Sequence, residues 1–262
     1  MRSMKWPKTI TLVRHGQSEY NVLRAKKEAD PLYQEFKREF EKLHTSTKTR
    51  LLAEAVSEKY ALDVSDYNTP LTCLGIEQSE LTGRNLLLSG HPTPDIIFVS
   101  PYLRTRGTFN GIRTRWTDLK GVKVVYDDRI REQEHGLSTL YNDWRVFQTF
   151  HPEQKKFFER SDSYWYQYPQ GESVPEVRDR IRLFTDMLIR EYAEQHVLII
   201  THHLTIFSFR ANYERLSPEE FIYLDKNEKP INCGVTMYEG NPERGTNGKL
   251  ELKNYNLCFW DK

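Results

Sequence analysis

Val197-Leu198-Ile199-Ile200-Thr201-His202-His203 is the stretch from which the architecture can be read. Four apolar residues in a row, with no polar alternation, fit a strand whose two faces are both covered by helices, so residues 197–200 predict a central strand of an α/β sheet. Such sheets hold their ligands just outside the carboxyl ends of the strands. Thr201, His202 and His203 therefore fall where a site is expected. A second apolar β-rich run, residues 10–13, is followed by Arg14, His15, Gly16, Gln17, Ser18, Glu19, Tyr20 and Asn21. A guanidinium matches phosphate oxygens bidentately, and an imidazole that titrates near neutral pH can act as nucleophile or proton carrier. Gly16 removes a Cβ where the chain must turn and an anion would approach the backbone closely. The tripeptide alone also fits a solvated surface pair.

Working outward, residues 95–99 form a compact apolar strand that delivers Ser100, with Arg104 one helical turn beyond. Residues 122–126 form another, followed by Arg131, Glu132, Gln133, Glu134, His135 and Gly136. Three strand ends thus carry basic groups and a fourth carries a carboxylate that could serve acid–base chemistry. Each residue also has a plainer reading. Arg104 and Arg106 could be solvated charges, His202 a satisfied core histidine, and Glu134 serves as well chemically as Glu132.

The rest of the chain reads as helices and late strands. Leu32, Phe36, Phe40 and Leu43 repeat at helical spacing after Asp30-Pro31, and Leu51, Leu52, Ala55, Val56 and Tyr60 suggest a second helix. Thr72 caps a helix that carries Leu74, Gln78, Leu81, Asn85 and Leu88 and ends at Gly90, and residues 103–113 predict another. Residues 136–170 are aromatic and read as irregular, more suited to packing than to base stacking. Ser173 and Glu176 form a capping box for a helix with Val177, Ile181, Phe184, Leu188 and Tyr192 on its buried stripe, ending near Gln195. A helix over 203–213 and strands over 233–238 and 250–257, joined by the hairpin loop 241–248, complete the chain. The fold class is α/β, a three-layer sandwich with a mainly parallel central sheet flanked by helices, plus a helical insert. A single domain over 1–262 is expected, with inserts at about 22–68 and 137–170 forming a lid over the site.

Composition narrows the function. The 262 residues are 38% hydrophobic and 29% charged, enough for a substantial core. Lys plus Arg number 38 against 37 Asp plus Glu, so no bulk positive field argues for nucleic acid or an anionic membrane surface. Cys73, Cys233 and Cys258 are too few and too widely spaced for a disulfide framework or a thiolate zinc site. No apolar stretch is long enough for a signal peptide or a membrane span, so a cytoplasmic location is expected.

Taken together and in order, these segments resemble the histidine phosphatase superfamily, the phosphoglycerate mutase-like fold, and the likeness covers almost the whole chain. Its Arg-His-Gly segment with a following Asn matches Arg14, His15, Gly16 and Asn21. Its Ser-Pro-x-x-Arg-Thr segment matches Ser100, Pro101, Arg104 and Thr105. Arg131 to Gly136 is similar to its acid-bearing segment, Gly171 to Ser173 to its Gly-Glu-Ser helix start, and Thr201-His202 to its second-histidine strand end. Pro70, Leu71, Thr72 and Gly75 also match its entry into the first long helix. The resemblance implies two-step phosphoryl transfer. His15 would attack phosphorus, Glu132 would protonate the leaving oxygen and later activate water, and Arg14, Arg104 and His202 would hold the equatorial oxygens. Asn21, Gln17, Ser18 and His203 are further substrate-binding candidates. Glu132 is chosen over Glu134 by motif alignment. No metal and no cofactor are called for, and the expected partner is a small phosphorylated substrate, with a monomer and a homodimer both open.

The chain departs from the family in carrying His203 where a glycine usually follows the second histidine. It also has His135, Asp143 and Leu204 where the mutases of the family have Tyr, Lys and Asn, which favours a phosphatase. The competing readings are a mutase that returns the phosphoryl group to another hydroxyl, and a pseudoenzyme spoiled by His203 that only binds a phosphorylated ligand. A metal hydrolase built on Glu132, His135, His202 and His203 is weaker, because neighbouring side chains on a strand point to opposite faces.

Overall fold

The computed structural model describes residues 4–261. In chain order its elements are β1 (Thr9–Arg14), α1 (Glu19–Ala29), α2 (Pro31–Leu43), α3 (Thr47–Lys59), α4 (Cys73–Leu88), β2 (Ile96–Val99), α5 (Leu103–Arg115), β3 (Lys123–Tyr126), α6 (Trp144–Phe150), α7 (Pro152–Trp165), α8 (Val174–Glu191), β4 (His196–Thr201), α9 (His203–Glu214), α10 (Pro218–Asn227), β5 (Val235–Asn241) and β6 (Lys249–Leu257). They fall into two compact units. One comprises the chain up to Ser18, Tyr67–Glu132 and the chain from Glu176 on; the other comprises Glu19–Asp66 and Gln133–Pro175.

The first unit contains a six-stranded sheet in the order β3-β2-β4-β1-β5-β6. The first four strands run parallel, and β5 and β6 add an antiparallel edge. Successive strand residues face opposite sides, and in β4 both sides are buried. Val197 and Ile199 pack with Ile10, Leu12 and Phe98 against Ile181, Phe184 and Leu188 of α8 and Ile206 and Phe209 of α9. Leu198 and Ile200 pack with Val13, Ile97 and Val99 against Leu86 of α4 and Phe109 and Ile112 of α5. This is the three-layer α/β sandwich that the unbroken apolar run implies. The register places Arg14 opposite Thr201 and Val99 opposite Ile200, so the polar residues that follow β1, β4 and β2 emerge from adjacent strand ends.

Of the α4 residues singled out in the sequence, Gln78 is buried but the leucines nearest the two ends are not. Leu74 is 45% and Leu88 69% exposed, whereas Gly75, Gln78, Ser79, Thr82, Gly83 and Leu86 are buried. Small residues let α4 and α5 approach at backbone distance. A Cβ on Gly83 would lie 2.3 Å from the Ile112 carbonyl oxygen, and one on Gly111 would lie 1.8 Å from Ser79 Oγ. Helix α8 carries the expected buried stripe but ends at Glu191, short of Gln195. Helix α10 was not anticipated, although Ser217 and Glu220 form a reciprocal capping box around Pro218.

The second unit is helical. Asp30 caps α2 by accepting from Leu32 N, with Pro31 in the first turn. Tyr33, Phe36 and Phe40 of α2 meet Ala53 and Val56 of α3 and Val146 of α6. Leu43 and Leu51, expected on the buried stripes, are 56% and 61% exposed. Residues 136–170 are not irregular but form a 3-10 turn followed by α6 and α7. Asp143 caps α6 by accepting from Arg145 N and Val146 N, and Pro152 starts α7. The aromatic residues belong to this packing, as in the stack of Trp144 on Phe158. Asp143 is buried and accepts from Lys27 Nζ at 2.8 Å and from the Tyr33 hydroxyl. Burial opposes its charge, but Lys27 and these hydrogen bonds outweigh that cost and hold the carboxyl below its ordinary range.

Candidate active site

Strand β1 delivers Arg14 and His15 beside β4. The His15 amide donates to the Thr201 carbonyl at 2.9 Å. Its ring is 4% exposed, with Nδ1 lying 2.8 Å from the carbonyl oxygen of Gly16. A carbonyl oxygen can only accept, so Nδ1 carries the proton and Nε2 keeps a free lone pair. Gly16 is held by its own N–H, which donates to Thr108 Oγ1 of α5 at 2.9 Å. The need for glycine here is steric: a Cβ would lie 2.5 Å from the Gly75 carbonyl oxygen at the start of α4.

Strand β4 delivers His202, fully buried at the N-cap of α9. Its Nε2 is 2.7 Å from Ser100 Oγ at the end of β2, while its Nδ1 is buried with no hydrogen-bond partner among the described residues. The two imidazoles lie with ring centroids 5.3 Å apart. Arg104 emerges from the first turn of α5, 5% exposed, with its guanidinium over the Tyr102 ring at 4.7 Å. The Tyr102 ring in turn lies 4.9 Å from that of His202. Arg14 is half-buried and donates from Nη1 to the Pro230 carbonyl at 2.6 Å.

Burial, and then the charges of Arg104 and Arg14, drive the His15 pKa well below its ordinary value. Burial, followed by Arg104, His15 and Arg180, does the same to His202. Both rings are therefore neutral at pH 7, as a nitrogen nucleophile must be.

Glu132 faces the start of α9, where its Oε1 accepts from Leu204 N at 3.2 Å. The segment is clamped from α8. Arg180 Nη1 donates to the carbonyls of Arg129 and Arg131, and its Nη2 donates to that of Glu132. Thr201 and Thr205 add hydroxyl bonds to the carbonyls of Ile130 and Arg131. Sequence reasoning missed Arg180, although its place on the buried stripe between Val177 and Phe184 was a signal: an arginine on an apolar face needs partners.

Arg14, His15, Arg104, Glu132 and His202 all belong to the sheet-bearing unit. The other candidates are placed differently. His203 opens α9 with Nε2 2.8 Å from Asp225 Oδ1 of α10 and its ring edge against Phe207. Gln17 accepts from the Thr72 hydroxyl through Oε1, and its amide donates to Gln78 Oε1. Ser18 is 1% exposed and bridges to Leu71. Asn21 lies on α1 in the helical unit, as do Glu134, whose amide donates to Glu172, and His135, packed edge-on against Tyr168. Among the described residues no three His, Cys, Asp or Glu side chains cluster as a metal site would require. No described helix is long and apolar enough to cross a membrane.

A neutral imidazole with a free Nε2, beside two guanidiniums and a second imidazole with an unpartnered nitrogen, is suited to binding a tetrahedral oxyanion and attacking its centre. The model of the histidine phosphatase superfamily (branch 1) matches residues 59–251, which include Ser100, Arg104, Glu132 and His202 and begin after His15. The phosphoglycerate mutase-like protein AT74 of Arabidopsis thaliana is 28% identical over 89% of this chain and 65% of its own length. A 2,3-bisphosphoglycerate-dependent phosphoglycerate mutase of Rhizobium rhizogenes is 25% identical over 83% of this chain and 84% of its own length. The chain thus spans just under two thirds of AT74, and 60% of the related AT74H. Among solved structures, the α-ribazole phosphatase of Shigella flexneri is similar with a TM-score of 0.65 at 16% identity, covering 95% of this chain and 96% of its own. A mycobacterial glucosyl-3-phosphoglycerate phosphatase in complex with inorganic phosphate matches with a TM-score of 0.62 at 17% identity, covering 97% of this chain and 100% of its own. At these identities the structures establish the fold. By the match of its family model over most of its length, the chain belongs to the histidine phosphatase superfamily, branch 1.

Proposed function

We propose that this protein hydrolyses phosphate monoesters through a phosphoryl group carried on His15. The observation that supports this most directly is the bond from His15 Nδ1 to the Gly16 carbonyl, which presents Nε2 as a neutral nucleophile beside Arg104 and His202. In the first step Nε2 bonds to phosphorus, the ester P–O bond breaks and protonated Glu132 gives its proton to the departing oxygen. In the second, Glu132 takes a proton from water, the water oxygen bonds to phosphorus and the P–N bond breaks, releasing inorganic phosphate. Arg14, Arg104 and His202 Nδ1 hold the equatorial oxygens, with His202 donating from Nδ1 when Nε2 accepts from the Ser100 hydroxyl. Phosphoryl transfer depends chiefly on positioning and fixed positive charge, which this arrangement supplies.

A mutase reading draws on the names of the relatives. Against it, Asp143, which stands where the mutases have a lysine, is committed to Lys27 and Tyr33. A panel of sugar phosphates, nucleotides, phosphoglycerates and phosphopeptides, assayed for free phosphate, tests the reading. The expected result is phosphate release from at least one class, lost in His15→Ala. Isomerised product without free phosphate would favour the mutase, and binding without turnover the pseudoenzyme.

A further inference from the structure

Resting on the phosphatase reading above, we propose that Asn232, with Trp260 behind it, is a positioning residue for the nucleophile, and that the connection from α10 to β5 acts as a cradle for the phosphate pocket. Asn232 Nδ2 donates to the backbone carbonyl of His15 at 3.1 Å, and the neighbouring Cys233 N–H reaches the same oxygen at 3.3 Å. Two residues earlier the Pro230 carbonyl holds Arg14 Nη1 at 2.6 Å. One short loop therefore grips both residues of the Arg-His pair, accepting from the Arg14 guanidinium through the Pro230 carbonyl and donating to the His15 carbonyl from Asn232 and Cys233. Just upstream, Asp225 of α10 holds the His203 ring at 2.8 Å.

The loop is itself fixed from the end of the chain. Trp260 Nε1 donates to the Asn232 carbonyl at 2.8 Å, and Asn256 Oδ1 accepts from Ile231 N at 2.7 Å. Asn256 adopts a left-handed conformation with φ of +57°, which asparagine tolerates better than most residues. Gly234 is enclosed by Asn256 Oδ1 at 2.3 Å and the Ile231 carbonyl at 2.9 Å from any added Cβ, so the turn into β5 has no slack.

Strand β4 pins the His15 amide through the Thr201 carbonyl and leaves the His15 carbonyl to this loop. Without Asn232 the peptide between His15 and Gly16 keeps one weaker donor. That peptide also bears the Gly16 N–H that donates to Thr108 Oγ1, and the Gly16 carbonyl that sets the His15 tautomer follows directly after it, so its rotation shifts that carbonyl and the Nε2 aimed by it.

The test compares Asn232→Ala and Trp260→Phe with wild type and His15→Ala. It uses 4-nitrophenyl phosphate, inhibition by orthovanadate and by inorganic phosphate, and thermal unfolding. Misplacement by a fraction of an ångström to one ångström costs up to about 100-fold in such reactions. We expect Asn232→Ala to lose roughly 10- to 100-fold in kcat/KM, and Trp260→Phe, which removes one N–H, about 3- to 10-fold. Vanadate, which mimics the five-coordinate phosphorus, should weaken in parallel with kcat/KM, while phosphate inhibition changes by less. Asn232→Gln, which keeps the amide, should recover part of the loss. Wild-type kinetics and vanadate affinity in both variants, with His15→Ala inactive, would overturn the cradle alone, even if melting temperatures fall. Undiminished activity in His15→Ala would overturn the phosphatase reading and the cradle with it.

Discussion

Glu132→Gln separates the proton donor from the scaffold. The glutamine amide is isosteric, and its Oε1 can keep the 3.2 Å bond from Leu204 N at the start of α9. The backbone carbonyl of residue 132 stays bound to Arg180. What disappears is the capacity to give and take a proton, together with whatever carboxylate charge stands at the helix N-terminus, worth at most about 0.3–1 kcal/mol. For a domain of this size that predicts a fall in melting temperature of at most about 1–4 °C. General acid catalysis contributes roughly 10²–10⁴-fold where the leaving group needs a proton. An alkyl phosphate releases a poor alkoxide and should show a loss in that range, whereas 4-nitrophenyl phosphate releases a stable phenolate and should lose far less in the first step. Steady-state kinetics on both substrates, with pre-steady-state bursts to isolate the first step, measure the contrast. Equal losses for the two leaving groups would refute the role given to Glu132. So would an unchanged rate on the alkyl ester.

Gly83→Ala places a Cβ 2.3 Å from the Ile112 carbonyl oxygen, so α4 and α5 must separate; an overpacking cost of about 1–3 kcal/mol, read by denaturant unfolding, should exceed any gain in helix propensity. Lys27→Met leaves the Asp143 carboxylate buried without its cation and should cost about 3–5 kcal/mol of stability, whereas Lys27→Met combined with Asp143→Leu should recover much of it. The pKa values of His15 and His202 are pushed well below normal and that of His91 falls to about 4. Below pH 6.5 the unfolded chain therefore binds more protons than the folded one, so stability declines as pH falls, by up to about 1.4 kcal/mol per pH unit for each such group. For His91 that decline runs from about pH 6.5 to about 4. Rising stability toward pH 5 would contradict neutral burial of these rings.

The central strands were legible where hydrophobic pattern and burial coincide. Residues 197–200 are apolar because both faces of β4 are covered, and the polar residues that follow β1, β2 and β4 end side by side because the strands pair in register. The pattern failed where backbones rather than large side chains touch. On α4 the buried face is built from Gly75, Ser79 and Gly83, and hydrophobicity carries no trace of that approach. It also failed over 136–170, where aromatic residues concealed helices whose starts were marked only by Asp143 and Pro152. The motif residues could be named from the chain. What holds them in place could not, because Arg180, Thr108 and Asn232 act on backbone carbonyl and amide groups, and the Pro230 carbonyl on the Arg14 guanidinium, all distant in sequence. His203 stood where the family usually has glycine, and the residue its ring approaches, Asp225, lies on α10, a helix whose capping box at Ser217 went unread.

The central claim is that phosphate passes through one nitrogen of one histidine. Rapid acid-free quenching of the enzyme during turnover of a labelled ester, followed by peptide mapping and assignment of the phosphohistidine isomer, tests it directly. The account predicts a base-stable, acid-labile phosphoryl group on Nε2 of His15, since Nδ1 is committed to the Gly16 carbonyl. Phosphate found on Nδ1, on another residue, or on no residue while the enzyme turns over would contradict it.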